Sequence, residues 1–104
     1  MSTISILSNS IAQAFSKFRQ YNSIPFEHAM AWYNSKENKL KLVLIAEAGE
    51  FMISIHLETS ESAYALKEFV SGCLKEANIS CPREDLDSLF NPHTEDVIQV
   101  EFYP

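Results

Sequence analysis

The stretch KLKLVLIAEAGEFMISIHLE, residues 39–58, decides the fold. Its second half, Glu50 to Glu58, alternates cleanly: Phe51, Ile53, Ile55 and Leu57 point one way, Met52, Ser54, His56 and Glu58 the other. A period of two with one apolar side describes a strand that is buried on one face and wet on the other. The first half, Lys39 to Glu47, has a centre, Leu42-Val43-Leu44-Ile45, that is apolar on both sides, which suits a central strand rather than an edge. Between them, Ala48-Gly49 reads as a tight hairpin turn, with Gly49 free to take a positive φ.

Outward from this hairpin the pattern continues in both directions. Upstream, a polar loop, Asn34 to Asn38, leads back to a strand over His28 to Tyr33, in which Met30 and Trp32 alternate with Ala29, Ala31 and Tyr33. Further upstream, Ser10 and Gln13 have capping-box spacing. Ile11, Ala14, Phe15, Phe18 and Tyr21 then fall at helical intervals. Ile4 and Leu7 extend that stripe toward Thr3, so the helix could begin earlier. Pro25 closes it by disfavouring helical geometry at Ile24.

Downstream, Thr59 or Ser60 caps a second helix with the stripe Leu66, Phe69, Val70, Cys73, Leu74 and Ala77, and Asn78 stops it. Gly72 lies inside this helix, at a cost of about 1 kcal/mol against Ala, and suggests a close approach. Pro82 stands at a helix's first position with Glu84 and Asp85 in the first turn, so Pro82 to Phe90 reads as a short helix ended by Asn91-Pro92. Val97 to Phe102 is a last strand. The expected fold is therefore α+β: an antiparallel four-stranded sheet, order of elements α-β-β-β-α-α-β, with two main helices on one face.

At 104 residues and 46% apolar composition, residues 1–104 are expected to form a single globular domain with a real core. The longest apolar run, Leu42 to Ala46, falls well short of the roughly 20 residues that span a bilayer. The N-terminal residues lack the basic start and apolar run of a secretory signal. A cytoplasmic location is expected. Cys73 and Cys81 form no Cys-x-x-Cys pair and are expected to be free thiols in a reducing compartment.

No motif that carries chemistry stands out. His28, His56 and His93 are scattered, and none has zinc-ligand spacing to a cysteine. Glycine-rich phosphate cradles are absent, since Gly49 and Gly72 stand alone. His56 lies one register from Ser54 and Glu58, which could gather an imidazole, a hydroxyl and a carboxylate, but any strand with a polar side does the same. Glu84 and Asp85 occupy a helix start, where acidic residues stabilise the dipole without doing chemistry. The expectation is a non-enzymatic protein with no cofactor and no metal.

Charge is the remaining signal. Residues 1–46 hold five Lys and Arg against two Glu, a balance of +3, whereas residues 47–104 hold three against twelve Asp and Glu, a balance of −9. The net −6 repels a phosphate backbone, so nucleic acid is not expected as a partner, although Lys36, Lys39 and Lys41 flank one hairpin with Trp32 and Tyr33 nearby. An acidic surface steers cationic partners instead. The carboxylates expected to make it are Glu84, Asp85, Asp87, Glu95, Asp96 and Glu101, joined by Glu58. Tyr64 is taken as an aromatic anchor, with Phe90, Tyr103, Trp32 and Tyr33 as further candidates.

In size, acidity and lack of a catalytic motif, the chain resembles bacterial immunity proteins, small acidic cytosolic domains that block a cognate toxin. It is similar in the same respects to phage-encoded inhibitors of nucleic-acid-binding defence machinery. The resemblance implies a non-enzymatic, monomeric protein that neutralises a basic partner, such as a nuclease-like toxin, by occupying the place of phosphate. One alternative is a small acidic secretion chaperone, but that family is expected to close on a helix, and this chain closes on a strand; another is a small enzyme or ligand-binding domain using His56 and its neighbours.

Overall fold

A computed structural model describes residues 2–21, 23–57, 63–90 and 97–104. The elements in chain order are β1 (Ser2–Ser8), α1 (Ile11–Phe18), β2 (Phe26–Asn34), β3 (Lys39–Ala46), β4 (Gly49–His56), α2 (Ala63–Glu76), α3 (Arg83–Leu89) and β5 (Val97–Phe102). The strands form one five-stranded sheet in the order β1-β4-β3-β2-β5. β3 is thus central, flanked on each side by an antiparallel partner.

The expected four-stranded antiparallel sheet is corrected to a five-stranded mixed one. The additional strand is β1, which runs parallel to β4 with Ile4 beside Phe51 and Ile6 beside Ile53. Ile4 and Leu7 do not extend the α1 stripe. Ile4 and Ile6 turn toward the core, while Leu7 stays 79% exposed on the other side. The β-branched alternation wins because residues 3–6 can bury their isoleucines against an existing strand, whereas a helix there would have no such partner. Ser8 ends the strand. Its Oγ accepts the Ser10 N–H (3.1 Å) and donates to the Ser10 carbonyl (3.0 Å). Ser10 in turn caps α1 by accepting the Gln13 N–H at 3.3 Å.

Turn chemistry sets the remaining connections. The β3–β4 hairpin turns at Glu47-Ala48, one residue earlier than expected, with Ala46 paired to Gly49 and Gly49 at φ 154°. Between β2 and β3, the Asn34 side-chain oxygen accepts the N–H groups of Lys36 (3.1 Å) and Glu37 (3.2 Å), and Asn38 adopts φ 53°. α2 ends in a Schellman arrangement. Asn78 takes φ 59°, its N–H donates to the Lys75 carbonyl, and the Ile79 N–H donates to the Leu74 carbonyl at 2.9 Å.

The three helices among the described residues cover one face of the sheet. Phe18 of α1 packs edge-on against Phe51 of β4 at 5.8 Å, and Phe15 meets Phe69 of α2 at 6.3 Å. Phe90, following α3, tilts onto Tyr33 of β2 at 4.7 Å. Leu40, Leu42, Leu44, Ile53, Ile55 and Phe102 are fully buried beneath them. Among the described residues no element covers the opposite face, where Met52, Ser54, Met30 and Trp32 are half-buried and Lys39, Lys41 and His56 exposed. No helix among the described residues is long and apolar enough to cross a membrane.

Gly72 is not there to relieve crowding. A Cβ built on it would meet only the Phe15 ring, at 3.4 and 3.7 Å, which is ordinary contact. Gly72→Ala is therefore expected to raise stability by about 0.5–1 kcal/mol, the helix-propensity difference, measurable as a higher urea midpoint at unchanged slope.

Candidate functional site

The residues expected to bind a partner are divided by the fold. Tyr64 lies near the start of α2, 68% exposed. Its hydroxyl bonds to Glu68 one turn on, which raises the phenol above its ordinary pKa. Asp87 of α3 accepts a hydrogen bond from the Lys67 ammonium at 2.8 Å, and that bond, with the charges of Lys67 and Arg83 behind it, holds its carboxyl below the usual range. Tyr64, Glu68, Leu86 and Asp87 line one groove between α2 and α3, about 500 Å³, with Lys67 and Arg83 also in its wall. Glu84 and Asp85 occupy the first turn of α3, and neither has an ion-pair partner among the described residues. The structure thus brings together Tyr64, Asp87 and the start of α3.

Glu101 does not join them. It projects from β5 opposite to the buried Phe102, on the uncovered face of the sheet, where its carboxylate accepts a hydrogen bond from Tyr103. Glu58, Glu95 and Asp96 lie outside the described residues, as does Glu61. The described residues therefore carry ten of the fourteen carboxylates against all eight Lys and Arg. Several of those ten are locally balanced: Asp87 by Lys67, Glu37 by Lys39 at 3.3 Å, and Glu76 by Arg19 at 3.6 Å.

Of the other aromatic candidates, Tyr33 and Phe90 are core, and burial pushes the Tyr33 phenol up. Tyr103 is exposed and stacks on His28 at 5.8 Å. Trp32 sits on the uncovered face with the Lys41 ammonium 5.4 Å from its ring centre. Register places Leu7, Ser54, Lys41 and Trp32 in one row across four strands, with His56 and Lys39 in the next row on the same face. The sequence showed the lysines near Trp32, and Ser54 on the wet side of its strand, but not Leu7, whose place in the row depends on the parallel β1–β4 pairing.

Neither cysteine offers a nucleophile at neutral pH. Both are free thiols. Burial, reinforced by Asp85, pushes Cys81 up to about 11, and burial with Glu76 nearby pushes Cys73 higher still. Among the described residues no group of three or more His, Cys, Asp or Glu is placed to hold a metal ion. No family model, curated protein or solved structure matches the chain.

Proposed function

We propose that this chain is a non-enzymatic, cytoplasmic binding protein that neutralises a basic protein partner, in the manner of an immunity protein set against a nuclease-like toxin. The observation that supports this reading is Tyr64. A large aromatic side chain stands two-thirds exposed on a regular helix, at the rim of a groove that also holds Glu68 and Asp87. Exposed tyrosines held on rigid elements make good interface anchors, because they bring area with little conformational freedom to lose. Glu84 and Asp85 on the neighbouring helix supply carboxylates free to meet cationic side chains. A lysine or arginine from the partner would compete with Lys67 for Asp87, and its aliphatic stem would lie along Tyr64.

The test is affinity capture from the producing cells, followed by binding measurements on what is retained. The expected result is a basic protein whose affinity falls at least about tenfold between low and high salt. Tyr64→Ala is expected to weaken it by about thirtyfold. Recovery of neutral or acidic proteins alone would overturn the reading. So would retention that survives both Tyr64→Ala and the pair Glu84→Lys, Asp85→Lys.

A further inference from the structure

The uncovered sheet face carries a hollow that shares no residue with the α2–α3 groove. A depression of about 330 Å³ lies over β4, β3 and β2, and its walls include Leu7, Trp32, Lys39, Lys41, Ser54 and His56. That volume is at the lower end of what small-molecule sites occupy. Its floor is apolar and aromatic, its polar groups are two ammoniums, an imidazole, a hydroxyl and the Asn34 amide, and among the described residues no carboxylate lines it. In a chain with fourteen acidic residues against eight basic ones, a hollow lined by two lysines and, among the described residues, by no carboxylate is the reverse of the average surface. Glu37 reaches Lys39 from the neighbouring turn, but Lys41 is engaged by the Trp32 ring and by no ion pair among the described residues.

We propose that this hollow binds a small organic anion bearing an aromatic ring, such as an aryl phosphate or aryl carboxylate. Charge complementarity and ring stacking point to the same ligand. Lys39 and Lys41 lie two residues apart on one strand, so their stems are spaced roughly 7 Å and can bracket one anionic group. Ser54, paired with Lys41 across β4 and β3, adds a hydroxyl donor, and His56 lies opposite Lys39. The ligand's ring takes the place of the Lys41 ammonium on Trp32, releasing Lys41 to the anionic group, and lies against Leu7, whose exposure is otherwise unexplained. A further hollow shares Leu7, Lys39 and His56 and continues around the β1 edge, leaving room for a substituent.

The test uses 2-naphthyl phosphate, with 2-naphthol and inorganic phosphate as the ring-only and charge-only controls. Trp32 is the chain's only tryptophan, so its indole N–H gives a single NMR resonance inside the site. Saturable shifts confined to Trp32, Lys41, Ser54 and His56 are expected, with each control binding about tenfold more weakly. Lys41→Gln should weaken binding about fivefold, and Tyr64→Ala, on the helical side, should leave it unchanged. Equal binding of 2-naphthol would overturn the proposal. So would undiminished binding by a folded Lys39→Gln, Lys41→Gln variant. Tighter binding of oligothymidylate than of the naphthyl ester would overturn it in favour of a nucleic-acid surface.

Discussion

Phe51→Ala is expected to destabilise the protein by about 4 kcal/mol. Phe51 is 1% exposed, on β4 between β1 and the central strand β3. Its ring lies 5.8 Å from Phe18, 5.1 Å from Tyr21 and 6.2 Å from Phe26, so it joins α1, the chain leaving α1 and the start of β2. Truncation removes the transfer free energy of the ring and leaves a cavity that these three neighbours cannot all collapse into, being held on separate elements. A domain of this size has about 5–15 kcal/mol of total stability, so one such change removes a large share of it. At about 4–8 °C per kcal/mol, the thermal midpoint should fall by some 15–30 °C. Urea or thermal unfolding followed by circular dichroism measures this. A loss below about 1.5 kcal/mol would mean that α1 does not pack on β4 as described.

The meander of β2, β3 and β4 was legible because its signals are local. Glu50 to Glu58 alternates, Leu42 to Ile45 is apolar on both sides, and Val43 is buried even though it lies on the uncovered face. α2 was legible for the same reason, down to its stop at Asn78. β1 was not. In a window as short as residues 4–11, Ile4, Leu7 and Ile11 satisfy a helical period while Ile4 and Ile6 satisfy a strand period. What decides between them is the availability of β4 as a parallel neighbour, more than forty residues away in sequence. Parallel pairing leaves no turn signal, because the crossover consists of whole elements.

Charge was legible as a count and not as a surface. The acidic C-terminal half reads plainly from composition, yet Glu101 and the α3 carboxylates are separated by the thickness of the sheet. Strand parity sets Glu101 opposite Phe102, and the sequence places the two main helices on the apolar side, but nothing in it puts α3 with its carboxylates there too. Likewise Trp32 and Tyr33 are adjacent in sequence and end on opposite faces, one open and one beneath Phe90. Tyr64 was singled out among several aromatics, and the helical period already set it apart from Phe69, which lies on the apolar stripe of α2 and is buried.

Ile6→Ala and Leu7→Ala together form the sharpest test of β1. As strand neighbours they face opposite ways: Ile6 is 7% exposed beside Ile53, and Leu7 stands in solvent beside Ser54. Ile6→Ala is expected to cost about 3 kcal/mol, and Leu7→Ala no more than about 0.5 kcal/mol. A helix running from Thr3 into α1 would reverse the order, because Leu7 falls on the Ile4, Ile11 and Phe18 stripe and Ile6 beside it. Urea unfolding of the two variants distinguishes the alternatives without a partner or a ligand. An edge position moderates the cost at Ile6, since β1 has a neighbour on one side only. The cost stays large because that neighbour is β4, and loosening β1 uncovers Phe51 and Ile53, the residues on which α1 and the sheet meet.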